Sequence, residues 1–224
     1  MPVADRPLPP VPSDLTNAAA VGRLLSHHGI WLTKSLGQHL LVDRAILDRI
    51  VSSANLHPEM EVLEIGPGVG VLTAELVRHV RRVVAVEVDA RMARVLRTTV
   101  PGPVLEVIEA DAMTVNPAEL FGGRPYALVA NLPYNVATPL VADLLDGAPG
   151  IARMLVMVQR EVGERIVAGP GDGAYGAVSV KVAYWAVARL AGDVPRDVFL
   201  PVPRVDSVLV EIVRRDRPAV DADR

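Results

Sequence analysis

The sequence predicts an α/β domain: a mostly parallel sheet with an antiparallel edge pair and helices on both faces. Three observations predict it. Short apolar runs at 62–65, 83–86, 104–108, 127–130 and 154–158 alternate with amphipathic stretches, the pattern of parallel strands joined by helical crossovers. Glycines, acids and an asparagine fall just past the ends of these runs, where strands give way to loops. The last part departs from the pattern: apolar stretches at 183–190 and 207–213 are separated by Pro195, Pro201 and Pro203, which reads as a closing antiparallel pair.

The elements follow in order. Prolines at 2, 7, 9, 10 and 12 deny residues 1–12 a helix or a central strand, so this stretch reads as a disordered arm. Ser13 or Asp14 suits the N-cap of a helix running to about Ser26 and ended by Gly29. A loop over 31–39 leads into a second helix with apolar positions Leu40, Leu41, Ala45, Ile46, Leu47, Ile50 and Val51. After Pro58 the strand and helix alternation begins, and it carries one domain over residues 13–215.

Composition narrows the functional classes. The 224 residues are 50% hydrophobic and 22% charged, ordinary for a soluble globular protein. Cysteine is absent, which excludes disulfides, cysteine nucleophiles and thiolate metal sites. His27, His28, His57 and His79 lack metal-site spacing, so no metal is expected. No signal-peptide core opens the chain and no apolar run is long enough for a membrane span; the sequence reads as cytoplasmic. A net charge of −3 argues against gripping nucleic acid by bulk electrostatics. The arginine groups 78/81/82, 91/94/97 and 214/215/217 read as solvated or gatekeeping charge. Trp31, Tyr184 and Trp185 read as core or edge packing, and Met154 and Met157 as core filler.

The chemistry-bearing positions converge. Gly66-Pro67-Gly68-Val69-Gly70 follows the first strand, Glu87 and Asp89 end the second, Asp111 follows the third and Asn131 the fourth. In an open parallel sheet these carboxyl ends share one edge and one cleft. The glycines permit a tight turn close to a ligand, and a helix starting near Val69 would add free N–H groups. The third glycine comes one place too early for G-x-G-x-x-G, which disfavours NAD, and the phosphate-binding Gly-Lys-Ser/Thr is missing. Glu87, about 20 residues on, can accept from both hydroxyls of a ribose, or be only an exposed acid. Asp111 can accept from an adenine amine or close an Asx turn. Adenosine without a phosphate site points to S-adenosylmethionine. Asn131-Leu132-Pro133-Tyr134 offers an amide, backbone carbonyls and an aromatic face, which suit a planar base with an exocyclic amine; a plain turn is the alternative.

Several segments together carry a resemblance: 37–43 (Gly-Gln-His-Leu-Leu-Val-Asp), 63–73 around the glycines, 131–135 (Asn-Leu-Pro-Tyr-Asn), 158–162, 175–180 and 199–207 (Phe-Leu-Pro-Val-Pro-Arg-Val-Asp-Ser). As a set they resemble the KsgA-type ribosomal RNA adenine dimethyltransferases of the KsgA/Erm superfamily. The resemblance implies a Rossmann-like S-adenosylmethionine-dependent methyltransferase fold and dimethylation of adenine N6 in small-subunit ribosomal RNA by a monomer. The Erm-like alternative acts on large-subunit RNA, and a third reading is a ribosome-assembly factor with little turnover. By the same resemblance Gln38 and His39 meet the cofactor's methionine end, Gly66 and Gly68 pass beneath it, Glu87 holds the ribose and Asp111 the adenine, with Leu41 and Ala112 also at the cofactor. Asn131, itself also at the cofactor, and Pro133 orient the target amine, while Tyr134 and Phe199 enclose the base. His39-Leu40 departs from the commoner Asn-Phe. The family's usual C-terminal helical domain is expected to be absent, with 216–224 a polar tail.

Overall fold

The computed structural model describes residues 14–32 and 38–220. The expected arm, Ser13 and Gly37 lie outside the described residues. The first helix, α1 (Ala18–His27), starts later than the sequence suggested: Asn17 Oδ1 accepts the Ala20 N–H at 3.0 Å and supplies the cap. Asp14 instead closes a turn on Thr16.

The second helix also starts later. Leu40 and Leu41 form a two-residue strand, β1 (Leu40–Leu41), and α2 (Arg44–Ser53) begins only after Asp43, whose carboxylate caps Ile46 N–H at 2.9 Å. Burial of both leucines satisfies strand and helix readings alike; antiparallel pairing with β8 (Phe199–Leu200) decides it.

The strands then arrive as the apolar runs foretold: β2 (Glu61–Ile65), β3 (Arg82–Glu87), β4 (Leu105–Glu109), β5 (Tyr126–Asn131) and β6 (Ile151–Gln159). Between them run α3 (Thr73–His79), α4 (Ala90–Thr99), α5 (Pro117–Phe121) and α6 (Ala137–Gly147). Two helices, α7 (Arg160–Val167) and α8 (Ala177–Trp185), precede β7 (Ala186–Val194), and β9 (Ser207–Arg214) follows β8. Residues 183–185, expected in a strand, end α8, because the ladder with β9 begins only at Ala186.

The sheet order is β4-β3-β2-β5-β6-β9-β7. The first five strands are parallel, and β9 lies antiparallel between β6 and β7, so the predicted antiparallel pair is present with β7 outermost. From β2 the chain winds outward to β3 and β4, then returns to β5 on β2's other side. That reversal is a topological switch point, where the strand ends part and leave a crevice.

Core clusters cover both faces. One joins Leu24, Leu47, Leu76 and Met92 to sheet residues Val62 and Val83; the other joins Phe121, Leu140, Leu145 and Ile166 to Leu63, Leu128 and Val156. Met154 and Met157 are fully enclosed, as expected of core filler. Trp31 is not: it is 79% exposed because its neighbour Ile30 takes the inward position. Among the described residues no helix is long and apolar enough to cross a membrane.

Arg78, Arg81, Arg91 and Arg97 are solvated as expected and also make ion pairs. Arg81 meets buried Glu61 at 2.6 Å, Arg82 meets Glu106 at 2.6 Å, and Arg78 meets Glu75 at 3.3 Å. Arg91 pairs with Asp89 and Arg97 with Glu109. Arg214 turns inward to the carbonyls of Ile151 and Leu145, each 2.8 Å away.

Candidate active site

The cleft opens at the carboxyl ends of β2, β3 and β5, at the switch point. Its floor is the glycine turn after β2. Gly66 and Gly68 adopt φ of 69° and 59°, a region L side chains rarely enter. A Cβ on Gly68 would stand 2.5 Å from Leu40 Cδ2, so glycine is also what lets β1 lie over the turn. Gly70, at φ 92°, keeps the chain from winding into helix at Val69, and α3 begins only at Thr73.

Glu87 ends β3 and fastens this turn: Oε2 accepts the Gly68 N–H at 3.2 Å and Oε1 accepts the Asp89 N–H at 3.0 Å. It is 5% exposed, and burial raises its pKa despite those donors. Asp111 is exposed at the cleft rim and closes an Asx turn on the Met113 N–H at 2.9 Å, with Ala112 beside it. The turn uses Oδ1 alone, so the two readings of Asp111 coexist. Gln38, His39 and Leu41 line the opposite wall.

The end of β5 forms the other half of the cleft. Asn131 Nδ2–H donates to the His39 carbonyl at 2.9 Å, which orients the amide; among the described residues Oδ1 has no partner. Pro133 and Tyr134 also line the cleft, and the Pro133 carbonyl accepts the Val136 N–H at 3.2 Å, using one of its two lone pairs. Tyr134 is held twice: its ring stacks on His39 with centroids 5.1 Å apart, and its hydroxyl shares a 2.8 Å hydrogen bond with Ser207 Oγ. Burial raises the phenol's pKa.

Phe199, expected to enclose the base, stands apart from this group. It is 2% exposed in the core cluster under β1 and does not line the cleft. Two residues with roles went unassigned in the sequence. Ser207 is one. The other is Glu64, a buried carboxyl in the cleft wall, whose only signal was an acid inside the apolar run 62–65. Burial pushes Glu64 up to about 8, with the nearby Glu87 charge adding to the rise and the Thr73 hydroxyl opposing it. Among the described residues neither Glu64 Oε2 nor Thr73 Oγ1 has a well-formed hydrogen-bond partner. A buried, unpartnered carboxyl oxygen in a cleft is a receptor for a donor or a cation. Among the described residues no group of three or more His, Asp or Glu could hold a metal.

The family model described as ribosomal RNA adenine dimethylase matches residues 31–224. The chain belongs to the ribosomal RNA adenine dimethylase family. Among curated relatives it is 48% identical to the ribosomal RNA small subunit methyltransferase A of Thermobifida fusca, over 94% of this chain and 75% of that one. It is 49% identical to the protein of the same name from Kineococcus radiotolerans, over 95% of this chain and 72% of that one. Two solved structures resemble this ribosomal RNA adenine dimethylase family member with a TM-score of 0.70 each. They are a dimethyladenosine transferase from Plasmodium falciparum (31% identical, 79% of this chain, 64% of that one) and the 23S rRNA methyltransferase ErmE (34% identical, 82% and 72%).

Proposed function

We propose that the chain transfers methyl groups from S-adenosylmethionine to the N6 amine of adenine in small-subunit ribosomal RNA, with two transfers per base. The observation that carries this reading is the fixed amide of Asn131. Its nitrogen is committed to the His39 carbonyl, so Oδ1 remains as an acceptor at the end of β5, on the same cleft as the glycine turn and Glu87. The names of the curated relatives favour the small subunit.

The residues present fit the cofactor. Gly66 and Gly68 form a cradle that a Cβ would fill, Glu87 offers carboxylate oxygens at the ribose position, and the unpartnered Glu64 Oε2 suits the ammonium of an amino-acid end. When bound, the cofactor supplies a methyl on an electrophilic sulfonium. The chain supplies alignment. An adenine amine is a poor nucleophile because its lone pair is delocalised into the ring. In the first transfer, accepting its two N–H bonds on Asn131 Oδ1 and on the remaining lone pair of the Pro133 carbonyl draws that pair out of conjugation and aims it; a proton leaves the nitrogen afterwards, and in the second transfer the single remaining N–H keeps one of these contacts. Tyr134 holds the base plane. Catalysis thus rests on positioning and fixed dipoles. Such a pocket admits only a base turned out of its stack.

Transfer of labelled methyl groups to undermethylated small subunits, large subunits and naked RNAs tests the reading. Label should enter small-subunit RNA as N6,N6-dimethyladenine. Selective labelling of large subunits would move the assignment to the Erm-like alternative, and cofactor binding without any transfer would favour an assembly factor.

A further inference from the structure

Three chain segments make the base end of the cleft, and one residue touches the other two. The His39 imidazole stacks on Tyr134 at 5.1 Å between centroids and 28° between planes. Its Nδ1 lies 2.7 Å from the Pro201 carbonyl oxygen, beyond β8. A carbonyl only accepts, so Nδ1 carries the hydrogen. The His39 main-chain carbonyl meanwhile accepts the Asn131 amide at 2.9 Å. None of these contacts is needed by a residue that only touches the cofactor.

We infer that His39 is a positioning residue for the target base: it backs one face of Tyr134, latches that stack to Pro201, and sets Asn131 with its side-chain oxygen free. The inference rests on the proposed adenine chemistry in calling that base the target. Backing one ring face leaves the opposite face of Tyr134 for a planar base. The hydroxyl of Tyr134, bound to Ser207, fixes the ring's far end, so the two contacts together define its plane. The Pro201 bond is made by the side chain, whereas the Asn131 bond is made by the backbone. Side-chain variants therefore remove the stack and the latch while leaving the amide's partner in the chain.

The test uses the whole chain and two variants. His39→Ala removes stack and latch; His39→Phe keeps a stacking ring and loses the latch. Long-range ¹H–¹⁵N spectra should show the Nδ1–H tautomer in the unmodified protein, and the Tyr134 ring resonances should move in His39→Ala and largely return in His39→Phe. In kinetics at saturating cofactor and RNA, His39→Ala should slow transfer about 10–100-fold, the scale of a misplaced reactant. His39→Phe should recover part of that loss, with cofactor affinity within about twofold in both variants, as expected when the lost contacts lie on the base side. Absence of a hydrogen from Nδ1, or Tyr134 resonances unmoved in His39→Ala, overturns the inference. So does a loss that appears wholly as weaker cofactor affinity with the saturated rate unchanged, since that marks a cofactor contact. Should the unmodified chain methylate no RNA, the proposed function fails, while the tautomer and the Tyr134 resonances still decide whether His39 holds this loop.

Discussion

The hydroxyl of Tyr134 meets Ser207 Oγ at 2.8 Å across 73 residues of sequence, tying the loop after β5 to the first residue of β9. Ser207 is completely buried and pairs with Gln159 at the end of β6. The antiparallel strand inserted between β6 and β7 thus does more than extend the sheet: its first side chain braces the aromatic wall of the cleft.

Tyr134→Phe should therefore lower stability by about 1–3 kcal/mol, because it leaves the buried Ser207 hydroxyl without its partner. The ring and its stack on His39 remain. Thermal unfolding with and without the substitution checks the figure, and a double mutant with Ser207→Ala should recover most of the loss. Equal and additive penalties from the two changes would show that the hydroxyls do not interact.

Asn131→Ala should slow methyl transfer about 10²–10³-fold, the loss usual for one preorganised polar contact. Cofactor affinity should change little, since among the described residues the amide's partner is the His39 carbonyl on the base side. Single-turnover rates and calorimetry on the same preparation separate the two quantities. A normal transfer rate would remove Asn131 from the mechanism.

Glu87→Ala should weaken S-adenosylmethionine binding by roughly 1.5–3 kcal/mol, the range for hydrogen bonds to a charged group. The glycine turn also loses the anchor at Gly68, so Glu87→Gln, which keeps one acceptor oxygen, should lie between the two. Titration calorimetry with S-adenosylmethionine and, as a control, NAD measures this; preferential NAD binding contradicts the cofactor assignment.

Glu64 makes stability depend on pH. Its carboxyl titrates near 8 when folded against an ordinary 4.5, so the folded state holds the proton more tightly. Stability is then complete below about 4.5 and declines as pH rises towards 8. Glu64→Gln should flatten that decline and raise the melting temperature at pH 8 by about 3 °C or more, roughly 1 kcal/mol in a domain of this size. Melting curves from pH 5 to 8.5 test it, and a variant with the same slope as the parent would place the titration elsewhere. A cationic ligand group beside Glu64 favours its ionised form, so cofactor binding between these pH values should release protons, read as a dependence of binding heat on buffer.

The parallel strands were legible because each is a short apolar run between helical stretches, the inner ones buried on both faces and the edge strand β4 only partly covered, and the cleft because strand ends in such a sheet share one edge. What escaped depended on distant partners. Leu40 and Leu41 fit a helix's apolar face until Phe199 and Leu200 pair with them, about 160 residues later. The same pairing draws Phe199 into the core, where no local pattern could have put it. The start of α3 was misjudged because Gly70 stands at a positive φ, which its neighbours do not encode. The partners of Arg81, Arg82 and Arg97 were not visible because Glu61, Glu106 and Glu109 reach them from other strands. Glu64 announced itself only as an acid in the wrong company.

Among the described residues the two-stranded ribbon of β1 and β8 shares no ladder with the seven-stranded sheet. Its backbone bonds are few, with Val42 N–H to the Val198 carbonyl adding one at 2.8 Å. Protection of its amides against exchange with heavy water should accordingly fall well short of that of β2 or β5, because a ribbon this short opens at lower cost than the whole domain. The wall that carries Gln38 and His39 is thus held by the packing of Leu40, Leu41 and Phe199 in the core and by a few cross-links, and not by a long backbone ladder.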